Sequence, residues 1–137
     1  MTVLEALQAA LSVEQQVIYG YGALGAHLSG ELESYATTCL TAHMTQRDAI
    51  AALVTATGAT PVAAAPAYQL PFRVTDRSSA RRLAVRLEQA SAGASWDLVA
   101  SSDPGSSPRR SAVDWLTDAA IRLEHWGAEL ALPGQPD

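Results

Sequence analysis

No proline occurs before Pro61, and three then fall close together, at positions 61, 66 and 71. Proline lacks the amide donor of a helix interior and clashes with the preceding turn. The chain is thereby divided into a long proline-free stretch, a segment that cannot be helical throughout, and a remainder broken again at Pro104 and Pro108. Within the proline-free stretch, apolar residues recur at steps of three and four. Leu4, Leu7, Leu11, Ile18, Tyr21, Gly25 and Leu28 form one such stripe. Leu32, Ala36, Cys39, Ile50 and Leu53 form a second. That spacing is the signature of one apolar face on each of two helices.

Local signals set the ends. Thr2 and Glu5 form a T-x-x-E capping box, in which the hydroxyl takes an orphan amide and the carboxylate reaches back. "LSGE" at 28–31 reads as a short turn, with Ser29 as N-cap and Glu31 and Glu33 at the positive end of the next helix dipole. Gly58 supplies a left-handed C-cap, and Pro61 blocks continuation. Beyond the proline segment, Thr75 to Ser79 offer several N-caps. A third helix follows through Leu83, Leu87, Ala90, Ala94 and Leu98. After "SSDPGSSP", Ser107 reads as an N-cap with Pro108 at the first helical position. The fourth helix carries Ala112, Leu116, Ala119, Leu123, Trp126 and Leu130.

The expectation is an all-α, single-domain four-helix bundle with helices over 2–28, 30–57, 78–101 and 108–131 and a long Pro-rich crossover over 58–77. Extended at ~3.3 Å per residue, that crossover can run the length of a helix pair. Two antiparallel hairpins joined this way have the ferritin-like connection. A chain of 137 residues can bury a core of its own.

Composition narrows the function. The net charge of −5 and pI near 5.0 argue against general nucleic-acid binding. The start of the chain is acidic, without the basic region of a signal peptide, and no apolar run approaches membrane-spanning length. A single cysteine, Cys39, excludes an internal disulfide and suits the reducing cytoplasm. No phosphate loop, CxxC pair or Ser/His/Asp order supports a nucleotide-binding, redox or hydrolytic activity.

Polar residues interrupt the apolar stripes at one height. Glu14 lies squarely on the first and His43 on the second. Counting from the turn near residue 29 places them within one turn of each other, roughly 3 Å along the axis. In the second hairpin Glu88 and Asp118 fall at the same level but on the shoulders of their helices, beside Leu87 and Ala119. Asp118 and Arg122 also have the i,i+4 spacing of a surface ion pair. For Glu14 and His43 the simplest role is a buried hydrogen-bonded pair, since an unpartnered buried carboxylate costs several kcal/mol.

Two antiparallel pairs, a long crossover and a carboxylate/histidine layer halfway up resemble the ferritin-like superfamily. The stretches "VEQQVIYGYGALGA", "HMTQRDAIAALVTATGATPVAAAPAYQLPF" and "RLEQA...TDAAIR" resemble its alanine-rich actinobacterial branch, a ferritin-like domain of unknown function. The resemblance covers nearly the whole chain and implies the fold much more strongly than any activity. An intact di-iron site of that superfamily takes a Glu from each of two helices and a Glu-x-x-His from each of the others. Glu14, His43 and Glu88 match. Leu40 stands three before His43 and Arg122 three before His125, so both Glu-x-x-His motifs are broken, and Asp118 is at best a substitute. The resemblance therefore implies a degenerate site with no cofactor, or alternatively a single iron or zinc ion on Glu14, His43 and Glu88. Cys39 and His43, four apart, could add a softer zinc-like pair.

Three further features stand out. Gly20, Gly22 and Gly25 mark a bend, a local bulge or the close approach of the fourth or second helix, or of the crossover, to the first helix. Arg77, Arg81 and Arg82 crowd the start of the third helix, between Arg73 and Arg86. They are candidate anion-binding residues or partners of Glu31 and Glu33. Trp96, off the main stripe of its helix, is expected either under the crossover or at the interface of a homodimer. The expected function is a non-enzymatic interaction or small-ligand-binding protein of the cytoplasm.

Overall fold

The computed structural model describes residues 1–127. It contains α1 (Val3–Gly25), α2 (Gly30–Ala56), α3 (Arg77–Ser101) and α4 (Ser107–Gly127), and no strand among the described residues. No helix among them is long and apolar enough to cross a membrane. The expected continuation of the fourth helix to 131, with Leu130, lies outside the described residues.

The caps follow the local chemistry with two corrections. Glu5 N–H donates to Thr2 Oγ1 at 3.1 Å, but the Glu5 carboxylate accepts from the Thr2 hydroxyl itself instead of reaching the cap amide. α4 is capped by Ser106, not Ser107: the Arg109 amide donates to Ser106 Oγ, and Arg110 N–H to the Ser106 carbonyl. Pro108, with no amide to lose, is then accommodated one residue further into the first turn. Asp76 and Ser79 make a full reciprocal capping box at the start of α3. Gly58 has φ +90°, the left-handed C-terminal stop that its position implied.

Side-chain packing fixes the helix directions. One apolar cluster gathers Val17, Tyr21 and Leu24 of α1, Ala36 and Cys39 of α2, Ala80, Leu83, Ala84, Val85 and Leu87 of α3, and Trp126 of α4. A second gathers Ala6, Leu7, Ala10 and Leu11, Ile50 and Val54, Leu98, and Ala112. The late part of α1 thus meets the early parts of α2 and α3 and the end of α4. α1 is antiparallel to both α2 and α3, and α4 is antiparallel to α3. α2 and α4 touch only sparsely, leaving a seam between them.

The segment between α2 and α3 returns along α1. Gln8 Nε2 donates to the Thr60 carbonyl, and Gln8 Oε1 accepts from the Val62 amide. Gln15 Nε2 donates to the Val62 carbonyl, and Tyr19 meets Tyr68 edge-on at 5.9 Å between ring centroids. These contacts pin a stretch that has no backbone ladder of its own. They also leave Trp96 uncovered, 61% exposed on α3.

The glycine cluster divides. Leu87 packs on Gly20, where a Cβ would lie 2.6 Å from Leu87 Cδ1; nothing comes within 4 Å of one at Gly22 or Gly25. The approaching element is therefore α3, not the second or fourth helix or the crossover, and it comes close only at Gly20. Gly20→Ala is expected to destabilise by about 1 kcal/mol or more, since overpacking costs about 1–3 kcal/mol and exceeds the helix-propensity gain. Gly22→Ala keeps only the gain, roughly 0.5–1 kcal/mol. Urea midpoints of the two variants should move in opposite directions.

Candidate functional site

Between the two apolar clusters lies a charged layer. Glu14 of α1, His43 of α2 and Glu88 of α3 are 1%, 0% and 0% exposed. His43 stands in the middle, with Nδ1 2.6 Å from Glu14 Oε1 and Nε2 2.6 Å from Glu88 Oε1. The Ser91 hydroxyl donates to Glu14 Oε2 at 3.0 Å. Glu88 Oε1 also accepts from Tyr21 OH at 2.6 Å, and Glu88 Oε2 from Arg122 Nε at 2.9 Å. Trp126 Nε1 in turn donates to Tyr21 OH at 3.0 Å. Every carboxylate oxygen in the layer has a donor. The charges balance, two carboxylates against an imidazolium and a guanidinium.

The electrostatics follow from this arrangement. Burial works against a charge on His43, but hydrogen bonds to Glu14 and Glu88 and their negative charges outweigh it and raise its pKa to about 9. Both ring nitrogens therefore carry protons at neutral pH and both donate. Burial would likewise raise Glu88, yet His43 and Arg122 hold it below the usual carboxylate range. Tyr21 is pushed far above its ordinary value, first by burial and then by the charge of Glu88. Its hydroxyl is a fixed donor. Burial also raises the Cys39 thiol, which lies by Tyr21, Tyr35 and Trp126 and is not paired with the His43 ring. The soft Cys39–His43 pair is thus absent from the structure, because both ring nitrogens face carboxylates.

Asp118 is a correction. It is exposed and outside the layer. The inward positions of α4 are Ala112, Ala119 and Trp126, spaced by seven, and Asp118 sits about 100° around the helix from Ala119. The fourth member of the layer is Arg122, which pairs with Glu88 and not with Asp118. Glu88 is also more central than its shoulder position implied. The buried stripe of α3 runs through Ala84, Glu88, Ser91, Ser95 and Leu98, while Ala90 is exposed. Small and polar residues line that stripe, so an apolar count reads it off centre.

The three arginines at the start of α3 have different partners in the structure. Arg81 Nη2 donates to the Trp126 carbonyl at the end of α4. Arg82 lies over the Phe72 ring, 5.5 Å from its centroid. Arg77 lines a cleft at one end of the α2–α4 seam, with Ser29, Glu31, Tyr35 and His125. Ser29 makes no side-chain cap bond there. Tyr35 and His125 stack on each other in its lining, 3.6 Å between ring centroids.

The layer can be tested as a ligand set. Two ligand atoms of one tetrahedral ion, each about 2.1 Å from it, stand roughly 3.4 Å apart. His43 and its carboxylates are 2.6 Å apart, a hydrogen-bond spacing, and the nitrogens present protons instead of lone pairs. His125, which would end the second motif, stacks on Tyr35 outside the layer. Among the described residues no three of His, Cys, Asp and Glu form a metal-binding group. As arranged, these residues do not fit a metal centre.

A helical protein with a chain of ion pairs across its interior is the class that fold and site define. Residues 6–137 match the family described as a domain of unknown function, DUF4439, and the chain belongs to that family. It is also similar to the crystal structure of a conserved hypothetical protein, rv2844, from Mycobacterium tuberculosis. The two are 34% identical, with a TM-score of 0.86 over 90% of this chain and 93% of the other. No curated protein matches.

Proposed function

We propose that the chain is a ferritin-like four-helix bundle whose metal layer has been rebuilt as ion pairs, and that it acts without catalysis, as an interaction or small-ligand-binding protein of the cytoplasm. The observation that carries this reading is His43, held by Glu14 and Glu88 through both nitrogens at 2.6 Å. A general base or metal ligand needs a lone pair to offer; this imidazole has none. The antiparallel pairing and the return of residues 57–76 along α1 support the ferritin-like connection. Two large apolar side chains in solvent, Trp96 and Ile121 at 61% and 60% exposure, support association, and a second copy is the partner we propose.

Native mass spectrometry of protein purified without chelator tests both parts. The expected spectrum shows a dimer with the mass of two metal-free chains. One iron or zinc per chain would replace this reading with that of a reduced, mononuclear site. A strict monomer at high concentration would remove the second copy as partner.

A further inference from the structure

The charged layer has one feature that ion pairing of Glu14, His43 and Glu88 does not require. Those three alone carry one excess negative charge when His43 is protonated. Arg122 cancels it from the fourth helix, through a single Nε contact to Glu88 Oε2. Its Nη2 is buried with no hydrogen-bond partner among the described residues. A part-buried guanidinium group with a buried, unused donor is a costly way to satisfy one carboxylate oxygen, when Tyr21 on Glu88 Oε1 and Ser91 on Glu14 Oε2 show that a neutral hydroxyl can donate in this layer. What the arginine adds over a neutral donor is its charge.

We infer that Arg122 is the residue that keeps divalent cations out of this layer. The inference rests on the metal-free reading above and deepens it. Binding of a divalent ion to His43 must release one proton from the ring, so the layer gains two positive charges and loses one. With Arg122 present, the neutral layer would end with one excess positive charge in a desolvated interior, where such charge is poorly screened. With a neutral residue at 122, the layer starts one charge negative and the same exchange leaves it neutral. Glu88, freed at Oε2, then has room to swing from hydrogen-bond spacing to ligand spacing.

The test is Arg122→Gln, with Arg122→Lys as the charge-keeping control. Co²⁺ is titrated into each at neutral pH, read by calorimetry and by the visible absorption of protein-bound Co²⁺. The glutamine variant is expected to bind one ion per chain, at least about 100-fold tighter than the unmodified protein, releasing about one proton per ion in buffers of different ionisation enthalpy. The lysine variant is expected to bind none, and His43→Ala added to Arg122→Gln should abolish binding. A folded Arg122→Gln that takes up no Co²⁺ overturns the inference and leaves the metal-free reading standing. Stoichiometric binding by the unmodified protein overturns that reading instead. If Arg122→Gln is unfolded, circular dichroism during Co²⁺ addition decides: recovery of helix supports the inference, and no recovery counts against it.

Discussion

Replacing His43 by alanine is expected to lower stability by about 3–5 kcal/mol, the usual cost of breaking a buried ion pair by removing one partner. The imidazole is shared by Glu14 and Glu88, so its removal strips one donor from each and leaves a hole between two carboxylates. Arg122 and Tyr21 remain on Glu88, and only Ser91 remains on Glu14. Glu14 is left as the worse-served carboxylate, with one oxygen facing the hole. Urea unfolding at neutral pH measures the loss. With native stabilities of about 5–15 kcal/mol, the variant should be near or past half-unfolded at modest urea. A loss under about 1 kcal/mol, with an unchanged slope, would mean that the imidazole is not the ionic hub that its geometry describes.

The second large effect is on pH. The folded-state pKa of His43 is about 9 against an ordinary 6.5. Its contribution to stability is therefore complete below about 6.5 and is lost as pH rises through about 9. At 1.36 kcal/mol per pKa unit, the loss on the alkaline side is about 3 kcal/mol at most. Glu88 has the opposite sign: its folded pKa is below the ordinary value, so its contribution is present above that value and lost as pH falls through the folded one. The groups facing these two are Glu14, Tyr21, Ser91 and Arg122, together with the Cys39 thiol near Tyr21. Tyr21 and Cys39 are both raised and stay protonated over most of this range. Stability should therefore form a plateau on the weakly acidic side of neutrality, with an alkaline decline that His43→Ala removes. Urea midpoints across pH 4 to 10, in both proteins, give the comparison; an alkaline decline that survives in the variant would assign it to another group.

Much of the fold was legible because apolar spacing and proline placement are local signals. The first two helices were readable from Leu4 to Leu53, since enough leucine, isoleucine and tyrosine recurs there at helical spacing to mark one face. α3 was harder: Ala84, Ser91 and Ser95 face the interior but carry little hydrophobic signal, which shifted the apparent face by one residue and put Glu88 on its edge. Glu14 and His43 stood out as polar residues on apolar stripes. Arg122 did not, because its spacing to Asp118 fits a surface ion pair equally well. The choice between them depends on the rotation of α4, which Ala112, Ala119 and Trp126 fix only once packed. Tyr21 and Ser91 passed as ordinary helix residues, since their role depends on a carboxylate from another helix. The one residual clue was Arg122 itself, three residues before His125, where a cation stands in the place of a carboxylate.

The position of the charged layer between two hydrocarbon compartments has a mechanical consequence. Alanine-rich helices offer one another smooth surfaces, and a slide of one turn, about 5.4 Å, would cost such surfaces little in contact area. Here the same slide would drive a carboxylate or a guanidinium into hydrocarbon and strand its counterion behind it. The partition thus works as an index mark: all four helices must stop at the same notch, and shifted near-copies of the native packing become too expensive to visit.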